Sequence, residues 1–218
     1  MNEKQKKERL CAIDQVLERL YPDAICALEY GGEPWRLLVM ARLSAQCTDA
    51  RVNIVSKELF ARFPTISELA DAPLEEIEKI IRPCGLFRTK AQSIKEACRM
   101  LRDEFDSRVP DDMETLLSLP GVGRKIANLL LGDVYGKGGI VADTHCIRIC
   151  GRFGMYPTAL KDPHKVEKIL SPLLPLERQS DFCHRIVQFG RDVCVARKPL
   201  CDTCPIRSLC EFSKVGVN

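Results

Sequence analysis

The chain has 218 residues with 45% hydrophobic and 29% charged side chains, ordinary globular usage that excludes a disordered chain. At this length a fold buries about 70% of the extended-chain surface, so stability does not depend on disulfides. No apolar run approaches the roughly 18 residues of a membrane span, the charged N-terminus lacks the apolar stretch of a secretory signal, and the net charge of +3, from 33 basic and 30 acidic residues, permits a nucleic-acid partner only through a local basic surface.

The predicted elements are all helices. Residues 3–21 carry Leu10, Ile13, Leu17 and Leu20 at helical spacing. Pro34 opens a largely apolar helix through Gln46. Thr48 is an N-cap for residues 49–63. Thr65-Ile66-Ser67-Glu68 has the form of a capping box, and Pro73 precedes a helix over 74–81. Residues 87–106 follow with Ile94, Ala97, Cys98 and Leu101 on one side. A short helix over 112–117 and the turn Leu119-Pro120-Gly121-Val122-Gly123 lead into a helix over 124–135. Gly136-Lys137-Gly138-Gly139 breaks the pattern as a linker. Helices over 144–153, 162–172 and 178–193 complete the chain before a cysteine-rich loop. No run alternates convincingly as a strand, so the fold class is all-α.

Twelve cysteines are present. Without a secretory signal the expected compartment is reducing, where clustered cysteines are metal ligands or active-site groups. Eight are scattered and, with Trp35, are expected in the core. Cys194, Cys201, Cys204 and Cys210 have the spacing C-x6-C-x2-C-x5-C. Four thiolates in one loop suit an iron–sulfur cluster or zinc. A single C-x2-C pair and wider flanking spans favour the larger cluster, though spacing alone does not separate the two. Arg197 and Lys198 lie between the first two ligands, as a phosphate clamp or as a solvated charged loop.

The glycines of Gly121-Val122-Gly123 permit a hairpin too tight for a Cβ, and they bare backbone N–H groups that attract phosphate. Lys125 follows in the first turn of the next helix, against the helix dipole and beside Arg124. A free lysine has a pKa of about 10.4. A neighbouring cation and partial burial are expected to raise the neutral, nucleophilic fraction of Lys125. Asp143 is expected as the N-cap of the helix after the linker. If it faces Lys125, the pair supplies an amine nucleophile and a carboxylate to manage protons and positive charge.

Taken in order, Leu43-Ser44-Ala45-Gln46-Cys47-Thr48-Asp49, Gly85-Leu86-Phe87-Arg88-Thr89-Lys90-Ala91, the hairpin with Lys125, Asp143-Thr144-His145 and the cysteine loop carry a resemblance. The chain resembles, from about residue 5 to residue 215, the bacterial endonuclease III family, the bifunctional DNA glycosylase/AP lyases of the helix-hairpin-helix superfamily. The resemblance implies an all-α fold of two modules. A six-helix barrel with the helix-hairpin-helix would span 27–136, a discontinuous cluster module 1–26 and 137–218, and DNA would lie in a groove between them. It implies base excision repair: removal of oxidised pyrimidines from duplex DNA, then cleavage of the abasic site by β-elimination through a lysine Schiff base. Lys125 would be the nucleophile and Asp143 its assistant. Cys194, Cys201, Cys204 and Cys210 would hold a [4Fe-4S] cluster. Gly121, Val122, Gly123, Arg197 and Lys198 would meet the DNA backbone, Gln46 would fill the space of the flipped nucleotide, and Leu86 would wedge into the opposite strand. The expected partner is double-stranded DNA with damaged pyrimidines or abasic sites, bound by a monomer in the bacterial cytoplasm, at the nucleoid and away from membranes. Cys47, Ile126, Ala142 and Asp192 depart from the family pattern without removing a catalytic group.

Two other classes fit part of this pattern. Monofunctional adenine or mismatch-thymine glycosylases of the same superfamily usually lack a lysine where Lys125 stands. A non-catalytic DNA-binding or redox-sensing iron–sulfur protein would need neither Lys125 nor Asp143.

Overall fold

The computed structural model describes residues 1–214. Among these no strand occurs, and the α-helices are α1 (Glu3–Leu20), α2 (Pro34–Leu43), α3 (Asp49–Arg62), α4 (Ile66–Asp71), α5 (Leu74–Ile81), α6 (Phe87–Glu104), α7 (Met113–Ser118), α8 (Arg124–Asp133), α9 (Thr144–Arg152), α10 (Pro163–Leu170) and α11 (Gln179–Asp192). The chain forms two compact units, one of Cys26–Tyr135 and one joining Met1–Ile25 to the chain from Gly136 onward. None of the helices is long and apolar enough to cross a membrane.

The continuous unit is built around α2. Trp35, Leu37, Leu38, Val39, Met40, Ala41 and Leu43 are all buried, so this helix is apolar nearly all round. The neighbouring helix α3 buries one face, Val52, Val55 and Leu59, and Trp35 meets Phe60 edge-on at 5.1 Å between ring centroids. Helices α4 and α5 cover α6, whose Ala91, Ile94, Ala97, Cys98 and Leu101 are buried. The short helix α7 pairs with α8 through the hairpin.

Helix starts follow their local chemistry. Thr48 accepts from the backbone N–H of Arg51, and Thr65 and Glu68 form a reciprocal capping box. Two helix ends are displaced from expectation. The second helix stops at Leu43 rather than Gln46, because Gln46 turns into the left-handed region (φ 56°) and releases Thr48 to cap α3. The sixth stops at Glu104, where Asp106 and Ser107 are left-handed and the Ser107 N–H reaches back to the Leu101 carbonyl at 2.9 Å.

In the discontinuous unit α1 packs on α11, and α11 on α9. Its polar centre is Asp14, 1% exposed, which accepts from Arg178 Nε at 2.5 Å and Arg185 Nη1 at 3.3 Å. The expectation for the scattered cysteines needs one correction. Cys84, Cys98, Cys146, Cys150 and Cys183 are buried, but Cys11, Cys26 and Cys47 are only half-buried.

Candidate active site and cluster loop

The hairpin between α7 and α8 is set by one glycine. Gly121 has φ +79°, and a Cβ there would lie 2.7 Å from Arg42 Nε and 2.8 Å from Ser93 Cβ. Gly123 differs. Its φ is −103°, and a Cβ there would meet nothing within 4 Å. The tightness expected of both glycines therefore belongs to Gly121, while Gly123 leaves open space at the start of α8. The N–H of Val122 is donated to the Leu119 carbonyl at 3.1 Å, and its side chain is buried. Gly123 is the N-cap of α8 and provides no side-chain cap bond. A helix N-terminus of this kind is a ready phosphate site.

Lys125 stands in the first turn of α8 and is exposed. The partial burial expected of it is absent; Arg124 and the helix N-terminus remain as its charged surroundings. Gln46 and Leu86 belong to the same unit as Lys125. Both are exposed, and both have left-handed backbones, at φ 56° and 48°. Non-glycine residues adopt this region at a cost, which concentrates at functional sites. Leu86 leaves 56% of a large apolar side chain in solvent.

Asp143 lies in the other unit. It is the N-cap of α9, with Oδ1 accepting from the Cys146 N–H at 2.7 Å. Its second oxygen stands outside that cap.

The cysteine loop carries a site of its own. Cys194, Cys201, Cys204 and Cys210 all line one small cavity, whose other walls include Phe153, Phe189, Val193 and Phe212. Among the described residues no three His, Cys, Asp or Glu side chains come together closely enough to hold a single ion. Four thiols around one apolar cavity are a soft donor set that fits an iron–sulfur cluster. Arg152 fastens the loop. Its Nη1 donates to the Val195 carbonyl at 2.8 Å and to Cys194 Sγ at 3.3 Å, and its Nη2 donates to the Ala196 carbonyl at 2.7 Å. This anchoring places Arg197 and Lys198 on the next two residues, both exposed. Sequence reasoning missed Arg152. It also missed Lys90, which occupies the apolar side of α6, four residues before Ile94; that position was the available signal.

A glycine hairpin, an exposed lysine in the first turn of the helix behind it, and a thiol-lined cavity thus stand in one helical chain. The family model described as HhH-GPD superfamily base excision DNA repair protein matches residues 39–175, and one described as the iron-sulfur binding domain of endonuclease III matches residues 194–210. Endonuclease III of Synechocystis sp. is 46% identical over 212 residues, 97% of this chain and 95% of that protein. Two solved structures, a non-covalent endonuclease III–DNA complex and a trapped endonuclease III–DNA covalent intermediate, each superpose with a TM-score of 0.89 at 39% identity, covering 99% of this chain and 98% of theirs. The chain belongs to the endonuclease III family of the HhH-GPD superfamily. It is a base excision repair DNA glycosylase/AP lyase, and its cofactor is a [4Fe-4S] cluster.

Proposed function

We propose that Lys125 is the nucleophile and Asp143 its partner, acting on oxidised pyrimidines and abasic sites in duplex DNA. The observation that carries this reading is the exposed amine of Lys125 in the first turn of a helix with no side-chain cap, directly after Gly123. A phosphate held by the amides at Gly121 and Gly123 would fix the backbone, and the Lys125 Nζ would then stand beside the sugar. The amine attacks C1′ as the glycosidic electrons leave with the base, which takes up a proton. The C1′–O4′ bond of the resulting aminal then opens, O4′ taking up a proton, and leaves an iminium linkage at C1′; on an abasic site the amine adds to the C1′ aldehyde instead, and loss of water gives the same linkage. Removal of a C2′ proton then expels the 3′ phosphate. Asp143 stabilises positive charge on the sugar and accepts the proton from the amine. The trapped covalent complex reported for an endonuclease III is in keeping with an amine adduct of this kind.

A base stacked in a duplex hides its glycosidic bond, so the nucleotide must be extruded. Gln46 fills the vacated space and Leu86 separates the opposite strand. Both sit on the constrained backbones such insertion needs. Arg197 and Lys198 hold phosphates on the cluster loop. Cys194, Cys201, Cys204 and Cys210 hold the [4Fe-4S] cluster, which organises that loop; glycosyl transfer and elimination require no electron transfer. The two compact units correspond to a helix-hairpin-helix module and a cluster module. The protein acts as a monomer in the bacterial cytoplasm, on chromosomal DNA.

The test separates base release from strand nicking on a duplex with one thymine glycol. Wild type gives both. Lys125→Gln loses both by at least about 100-fold while still binding the duplex. Base release without nicking by wild type would instead make the protein a monofunctional glycosylase.

A further inference from the structure

Lys90 is fully buried, 0% exposed, and it lies on the packed face of α6. Its ammonium donates to two backbone carbonyls from different segments, Leu43 O at 2.8 Å and Cys84 O at 2.8 Å. Leu43 ends α2, and Cys84 ends the 3-10 turn Arg82–Cys84. Both carbonyls belong to helix ends, where intrahelical partners run out. Among the described residues no carboxylate is paired with Lys90. The groups that act on its charge are the thiols of Cys84 and Cys47 and the Arg42 guanidinium, and burial lowers its pKa. A buried lysine without an acidic partner is a costly way to satisfy two carbonyls, since its chain must be ordered and its charge desolvated.

The position explains the choice. Three residues after Leu43 the chain reaches Gln46, and two residues after Cys84 it reaches Leu86. These are two of the four non-glycine residues with positive φ among the described residues. One turn further along α6, Ser93 Oγ donates to the Lys90 carbonyl at 3.1 Å and accepts from Arg42 Nε at 2.9 Å. Gly121 is packed against Arg42 and Ser93. A single turn of α6 thus underlies three loops.

We propose that Lys90 is a positioning residue for nucleotide extrusion, its ammonium pinning the segments that present Gln46 and Leu86 at one fixed separation. The proposal rests on the reading of Gln46 and Leu86 as DNA probes. A rigid pair arrives already ordered, so binding energy goes to unstacking the duplex rather than to ordering two loops. Lys90 touches no reacting atom; it acts through the backbone of the two probes.

The experiment compares thymine glycol excision from two duplexes, one fully paired and one with an abasic analogue opposite the lesion, where little remains to unpair. Lys90→Met is expected to lower kcat/KM about tenfold or more on the paired duplex and less than about threefold on the other, because only the former still requires the extrusion energy. Lys90→Gln keeps a neutral donor nitrogen on a shorter side chain and recovers part of the loss; it also serves if Lys90→Met does not fold. Leu86→Ala shows the same duplex-selective loss, and adding Lys90→Met to it costs little more. Equal losses on both duplexes would be those of a merely structural residue and would overturn the proposal, as would full activity on the paired duplex. If Leu86→Ala and Gln46→Ala leave both duplexes unaffected, the reading of the probes fails first and the proposal falls with it.

Discussion

Gly121 and Gly123 carry different constraints although they read alike in sequence. Gly121→Ala must place a Cβ within 2.9 Å of Arg42 and Ser93 atoms on a left-handed backbone. It should lose about 1–3 kcal/mol in urea unfolding. Gly123→Ala has room and an ordinary φ, so its unfolding midpoint should barely move, while duplex binding weakens as the methyl group enters the space in front of α8. Asp143 poses the same kind of question. Asparagine caps helices about as well as aspartate, so Asp143→Asn should keep the α9 cap and stability. Lyase turnover should nevertheless fall about 100-fold if the carboxylate handles protons. Residue type and spacing single out Lys125, Asp143 and the four thiols as candidates, because both bear on their chemistry. The inequality of the two glycines was not, since only a backbone angle and its neighbours distinguish them.

At the scale of elements, helix starts were readable, and so was the end of α5 at Ile81, but the ends of α2 and α6 were not. Thr48, Thr65 and Asp143 each accept from the N–H three residues on, a bond determined within one turn of chain. Thr65→Ala should therefore cost about 1 kcal/mol in thermal unfolding, with glycosylase activity unchanged, because the cap serves α4 and no proposed DNA contact. The end of α2 depends instead on Gln46 leaving the helical region and on Lys90 supplying a donor to the Leu43 carbonyl from 47 residues away. Such a donor has no signature near the helix it finishes. Lys90 was visible only as a charge on an apolar stripe, without an indication of what it bonds.

At the scale of the whole molecule, the closure of the discontinuous unit was least legible. Asp14 and Glu18 on α1 meet Arg178 and Arg185, 160 or more residues away in sequence, and any exposed charge on α1 would have looked equally available. Asp14→Asn removes the nearest negative charge from the buried Arg185, whose other carboxylate contacts, to Glu18 and Asp181, are at 3.5 Å each. A loss of about 3 kcal/mol is expected by denaturant titration. Glu18 adds a pH dependence. The hydrogen bond from Arg178 lowers its pKa from 4.5, so the unfolded chain binds more protons than the fold across that window. Its contribution is present above pH 4.5 and is lost as pH falls through the lowered folded value; Glu18→Gln should flatten that part of the stability–pH curve. Removal of iron should act at the cysteine loop of the same unit. Cleavage by trypsin after Arg197 should accelerate once the cysteines lose their shared anchor, while fragments of the Cys26–Tyr135 unit should appear no faster.

Amine catalysis at Lys125 passes through a linkage that borohydride reduces and traps. Wild-type protein is incubated with a thymine glycol duplex and borohydride, and the adduct is digested and mapped by mass spectrometry. A reduced sugar linkage on the peptide containing Lys125, absent from Lys125→Gln, is the predicted result. An adduct on another amine, or strand nicking by wild type with no adduct at all, would contradict it.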